Sequence, residues 1–132
     1  DSKSKELMKI CTSQGYSSFS DEQVEVLKKQ DRTKNLEWYK KVLVNMTTLD
    51  SLIKKYGSPN FIKIDVEGYE ERVLRGLSSQ ISIVSFEYNN LFLNKAIKCI
   101  EILNSLGQYQ FNYSKEEKCE LMLKKWVDSN II

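Results

Sequence analysis

Apolar and polar residues alternate in short stretches of this chain and follow helical spacing in the segments between them. Met8 and Ile10 lie on one side of a stretch from Leu7 to Thr12, and Val42, Val44 and Met46 alternate with Lys41, Leu43 and Asn45. Both patterns predict strands with one better-buried face. The apolar runs Phe61 to Val66 and Ile81 to Tyr88 predict two further strands. Gly15 to Phe19 reads as loop. Ser20 stands three residues before Gln23, the spacing of a capping box, and opens a helix through about Lys29. The polar run Gln30 to Asn35 is a connector. Thr47 to Gly57 carries the marks of one short helix: a threonine cap, Asp50 near the positive end of the dipole, Lys54 and Lys55 near the negative end, and a glycine stop. Pro59 keeps that helix from continuing.

Gly68 supplies a turn, and Tyr69 to Arg75 predicts a short helix ended by Gly76, with Val73 and Leu74 inward. A strand, a short helix and a second strand in quick succession imply a βαβ unit, hence parallel pairing. Asn94 is placed to cap a longer helix in which Ala96, Ile97, Ile100, Leu103 and Leu106 recur at helical spacing before Gly107. In the tail, Tyr109 to Tyr113, a polar turn at Ser114 to Lys118, and Cys119 to Leu123 read as an antiparallel hairpin. Strands and helices thus alternate until a hairpin closes the chain.

Both βαβ strands end in acids. Phe61 to Ile64 leads into Asp65-Val66-Glu67-Gly68-Tyr69-Glu70, and Ile81 to Phe86 leads into Glu87-Tyr88-Asn89-Asn90. Neighbouring parallel strands that end alike deliver their terminal side chains to one rim, where open α/β sheets bind ligands. Lys63, within an apolar strand, is expected to need a partner.

Composition narrows the chemistry. The 132 residues fit one domain, and 41% apolar with 29% charged content is that of a soluble globular chain. A net charge of +2 with scattered lysines argues against nucleic acid, and no run reaches the roughly 18 apolar residues of a membrane span. With no histidine, Ser-His-Asp and Cys-His catalysis are excluded, and so is a Cys/His zinc site. The three cysteines, Cys11, Cys99 and Cys119, are expected to be reduced in a cytoplasmic protein. A chain opening on Asp1 is expected to be a fragment, a processed chain or an excised piece.

Thr47-Thr48-Leu49-Asp50-Ser51-Leu52-Ile53, Ile62-Lys63-Ile64-Asp65-Val66-Glu67-Gly68-Tyr69-Glu70, Val73-Leu74-Arg75-Gly76 and Ser85-Phe86-Glu87-Tyr88 together resemble the FkbM-type methyltransferases, from about Val42 to Trp126. The resemblance implies a Rossmann-like α/β fold with parallel strands closed by an antiparallel C-terminal hairpin, S-adenosylmethionine as methyl donor, and a hydroxyl of a sugar or secondary metabolite as acceptor. It departs at the cofactor. The five glycines, Gly15, Gly57, Gly68, Gly76 and Gly107, are too far apart for the glycine-rich loop of this family. Residues 1–132 are therefore expected to form a single domain resembling the C-terminal half of such an enzyme, with 1–40 peripheral, 41–132 the core, and the N-terminal cofactor half missing.

On that reading Asp65, Glu67 and Glu87 orient or deprotonate the acceptor hydroxyl. By similarity to catechol-type methyltransferases, Asp65 and Glu87 with Asn89 (or Asn90) would hold magnesium, which prefers such oxygen ligands. The plainer reading is that Asp65 caps the next helix and Glu67 or Glu70 favours its first turn. Tyr69, Tyr88 and Tyr113 are pocket candidates, but packing is the first expectation for them and for Trp38 and Trp126. The expected partners are a small-molecule or glycan acceptor and a second copy, or the missing half, added at an open sheet edge. The rival function is a non-catalytic remnant or interaction module.

Overall fold

The computed structural model describes residues 4–115 and 120–132. Strand β1 (Lys5–Cys11) and strand β2 (Trp38–Asn45) pair antiparallel, Leu7 facing Leu43 and Met8 facing Val42. Helix α1 (Asp21–Lys28) lies between them in sequence, and helix α2 (Leu49–Tyr56) follows β2. Strand β3 (Phe61–Ile64), helix α3 (Glu70–Leu74) and strand β4 (Ile83–Phe86) make the expected βαβ unit, with β3 and β4 parallel. A 3-10 turn at Asn90–Phe92 leads into helix α4 (Leu93–Leu106).

Capping chemistry sets the helix starts. Ser20 Oγ accepts the Gln23 N–H at 3.1 Å and begins α1, and Thr48 Oγ accepts the Ser51 N–H at 3.1 Å and begins α2. Gly57 ends α2 at a φ of 92°, which only glycine adopts freely. Asp50 does more than favour a dipole: its Oδ1 accepts the Ser78 N–H at 2.9 Å, tying α2 to the segment after α3.

The core sits on one side of the parallel pair. Ile64, Leu74, Cys99, Leu103 and Phe111 are its buried members, with Ile62, Val66, Val84 and Phe86 packed against them. Period-2 alternation turns Ile62 and Ile64 inward and leaves Phe61 and Lys63 outward, while β4 places Val84 and Phe86 inward and Ile83 and Ser85 outward. Burial pushes the Cys99 thiol up to about 12, so it stays protonated and packs as an apolar group.

Several expectations are corrected. Among the described residues there is no continuous parallel half-sheet: β1–β2 and β3–β4 are separate two-stranded sheets. The antiparallel tail is also different. Among the described residues Met122 and Leu123 of the expected second arm do bond to Tyr113 and Asn112 of the first, the Met122 N–H donating to the Tyr113 carbonyl at 2.8 Å. The bridge forms further along, between Phe111 and Val127, and no regular strand pairing joins the arms. Asn112 makes this possible by accepting the Tyr113 and Leu123 N–H groups and donating to the Leu123 carbonyl. These side-chain bonds occupy positions that strand pairing would otherwise use. The expected turn at Ser114 to Lys118, and Cys119 with it, fall partly outside the described residues. Asn94 does not cap α4, because Asn89 caps the 3-10 turn before it. Ile97 and Trp126 are exposed, and Cys99 occupies the buried stripe instead.

Leu74 has no exposed surface and lies where α3 meets the core. Leu74→Ala should cost about 2–5 kcal/mol of unfolding free energy, read by chemical denaturation.

Candidate functional site

The register of β3 on β4 builds the site. Phe61 faces Ile83, Lys63 faces Ser85 and Ile64 faces Phe86, and the Glu87 N–H donates to the Ile64 carbonyl at 3.1 Å. Asp65 and Glu87 are therefore the next residues along the two strands. Carboxylate oxygens of Asp65, Glu67 and Glu87 lie within 4.8 Å of one another. The structure brings together all three acids expected to act on an acceptor.

Asp65 does not cap α3. That helix begins at Tyr69 without a side-chain cap, and Glu70 accepts the Gly68 N–H at 3.0 Å instead. Asp65 pairs with Lys63, Nζ to Oδ2 at 2.6 Å, which supplies the partner expected for that lysine, although Lys63 is exposed and not buried. The Asn89 side chain is engaged locally, its Oδ1 accepting the Leu91 N–H at 3.0 Å.

The environments drive the three acids apart. The Lys63 hydrogen bond, and then one with Glu87, hold the Asp65 carboxyl below the ordinary aspartate value. Partial burial of the Glu87 carboxyl, then its hydrogen bond with Asp65 and the charges of Asp65, Glu67 and Glu70, push Glu87 up to about 7. Burial and the Asp65 charge also raise Glu67, against a lowering hydrogen bond from Gln23. A carboxylate held ionised beside one poised near neutrality is an acid/base arrangement.

Glu67 owes its position to backbone conformation. It lies at a φ of 51°, in the left-handed region, and Gly68 follows at 89°. The Ser18 hydroxyl donates to the Glu67 carbonyl at 2.6 Å from 49 residues away. Gln23 and Ser18 are contributors that periodicity missed. The capping box explains Gln23 locally, yet it is only 5% exposed and its side chain packs over Gly68, beside Glu67. The available signal was its place on the helical stripe of Val24 and Leu27, where a polar residue needs a partner.

Of the aromatic candidates, the Tyr69 ring lies 5.3 Å from that of Phe19, while Tyr88 is exposed. Trp38 is half-buried and donates to the Tyr16 carbonyl at 2.9 Å. Two shallow cavities of about 240 and 170 Å³ share Thr47, Thr48, Tyr69 and Arg72, and none of the three acids lines them. No described helix is long and apolar enough to cross a membrane.

A mixed α/β domain with a parallel pair, acids at its strand ends and an antiparallel hairpin is methyltransferase-like in outline. The model of the FkbM methyltransferase domain matches residues 2–115, and the chain belongs to that family. No curated protein and no solved structure matches it.

The family uses S-adenosylmethionine. The glycines are not spaced as a Gly-x-Gly-x-x-Gly loop: Gly15 precedes α1, Gly57 ends α2, Gly68 stands alone in the loop between β3 and α3, Gly76 follows α3 and Gly107 ends α4. The oxygen set of Asp65, Glu67 and Glu87 suits magnesium in donor type. Against it, Lys63 already neutralises Asp65 and Asn89 is engaged by its cap.

Linkage gives each acid a sign. Glu87, raised, contributes stability below its ordinary 4.5 and loses it as pH rises through about 7. Asp65, lowered, contributes above its ordinary 3.8 and loses it only as pH falls through its depressed value. Glu87→Gln should therefore flatten the decline in melting temperature between about pH 4.5 and 7 that the unaltered chain shows. An equal decline in both proteins would place Glu87 outside the coupled site.

Proposed function

We propose that this chain carries the acceptor side of an S-adenosylmethionine-dependent O-methyltransferase acting on a hydroxyl of a sugar or secondary metabolite. The observation that carries the reading is the convergence of Asp65, Glu67 and Glu87 within 4.8 Å, together with a Glu87 carboxyl that titrates near neutrality. Ionised Glu87 takes the hydroxyl proton as the acceptor oxygen becomes a nucleophile, and later returns it to water. Asp65, kept ionised by Lys63, accepts a hydrogen bond from a neighbouring hydroxyl and orients the ring. S-adenosylmethionine supplies the methyl group, held by a partner segment that completes the cofactor side. A cytoplasmic setting agrees with the free thiols of Cys11 and Cys99.

Proton chemistry is preferred here over the magnesium reading through Asp65, Glu87 and Asn89, because Lys63 and the Asn89 cap would both have to be displaced. The competing function is an interaction module that keeps the fold without binding cofactor. The absence of Gly-x-Gly-x-x-Gly spacing from the sequence favours it. Calorimetric titration of the chain with S-adenosylmethionine or its demethylated product separates the two: micromolar binding supports a working site in this chain, and no heat supports the module or a split site. In the active assembly, Glu87→Gln should lower turnover about 10²–10⁴-fold and Asp65→Asn should impair turnover more than melting temperature. Unchanged turnover in both would reduce the acids to structure.

Self-association belongs to the same reading. Among the described residues β3 and β4 pair only with each other, and Phe61 and Ile83 lie 54% and 56% exposed on their outer face. Sedimentation velocity should show a dimer or larger species, and a monomer at high concentration would remove this part of the proposal.

A further inference from the structure

Two sequence stretches that the acids leave unexplained, 47–53 and 73–76, meet at the larger cavity, about 240 Å³ in volume. Gly76 lets them approach: a Cβ there would stand 3.1 Å from Thr48 Cβ. The Asp50 N–H donates to the Gly76 carbonyl at 2.9 Å, and Asp50 Oδ1 accepts the Ser78 N–H at 2.9 Å. The start of α2 and the end of α3 are tied together by these bonds. On the third side the Met46 N–H donates to the Ser4 carbonyl at 2.8 Å and brings the start of β1 alongside Thr47. The walls are therefore fixed before any ligand arrives.

The lining holds two arginines, Arg72 and Arg75, against one acid, Glu6. Arg75 is held by Glu71, its Nε and Nη2 donating to Oε1 at 3.0 and 2.7 Å, and the same carboxylate lies 3.9 Å from Lys98 Nζ. One negative charge is thus shared between two cations. Among the described residues no ion pair engages Arg72. Its guanidinium lies 5.9 Å from the centre of the Tyr69 ring, which rests against Phe19. A ring steadies a guanidinium without cancelling its charge, so the planar donor fork stays available to an oxyanion. Ser4 and Thr47 add hydroxyl donors, while the Thr48 hydroxyl is committed to Ser51. The cavity is smaller than the roughly 300–1,000 Å³ of sites that enclose a whole small molecule. A single tetrahedral anion suits it.

We propose that the cavity between α2, α3 and the start of β1 binds a phosphoryl group, with Arg72 as its principal ligand and Arg75, Ser4 and Thr47 beside it. Paired N–H groups of the Arg72 fork take two phosphoryl oxygens, and the hydroxyls take a third. Glu6 opposes the bound charge and keeps the affinity modest. Asp65, Glu67 and Glu87 do not line this cavity, and the site does not depend on the reading of those carboxylates.

The test is amide NMR on the full, isotope-labelled chain, titrated with inorganic phosphate or with glycerol phosphate at constant ionic strength, sodium chloride serving as the control. The Thr47, Thr48, Arg72 and Gly76 amides should shift together and saturate with one dissociation constant, millimolar or tighter. Arg72→Gln should weaken binding about tenfold or more, and Glu6→Gln should tighten it about twofold or more. Arg32→Gln removes the same charge from an exposed position outside the cavity and should leave the affinity unchanged. Tighter binding of glycerol phosphate than of inorganic phosphate marks a phosphate ester as the ligand, and equal or weaker binding marks free phosphate; either result supports the site. If Arg72→Gln does not fold, Arg72→Lys keeps the charge, loses the fork and should also weaken binding. Shifts that never saturate, that scatter over the lysine-bearing surfaces, or that fall equally in Arg72→Gln and Arg32→Gln would overturn the proposal.

Discussion

Parallel pairing of β3 with β4 is the constraint on which everything else depends. Its register is fixed by Ile62 and Ile64 facing the same core as Val84 and Phe86. A slip of one residue would turn one strand's apolar side chains outward and carry its acid away from the other's. The same alternation that buries the isoleucines therefore places Asp65 beside Glu87. Stability and site share one geometric cause.

The fold was legible where one local rule decided it. Ser20, Thr48 and Gly57 act at the helix ends where their chemistry puts them, and the two acid-tipped strands pair as their βαβ spacing requires. It was illegible where side chains outcompeted backbone patterns. Asn112 redirects the tail, so that Phe111 meets Val127, and Asn89 builds a 3-10 turn ahead of α4. The antiparallel course of β1 and β2 follows from a connection through α1 that alternation alone does not specify.

The site was legible in the same uneven way. Strand-end acids announce themselves in sequence, because a carboxylate after an apolar run has few structural excuses. Their differences in acidity do not. Lys63 stabilises the charge on Asp65, while burial and Asp65 itself disfavour the charge on Glu87, and both effects need neighbours in space. Glu67 and its support were hidden further, since Ser18 reaches across 49 residues and Gln23 already had a local explanation. Membership of the FkbM family gives the chemistry of these acids a direction.

The central claim is that two strand ends hold one coupled proton site. Following the carboxyl carbons of Asp65 and Glu87 through a pH titration of the folded chain tests it most directly. The account predicts a Glu87 midpoint near 7, an Asp65 midpoint below the ordinary aspartate value, and a second inflection in the Asp65 curve as Glu87 ionises. Two independent, single-step curves at ordinary carboxylate values would contradict it.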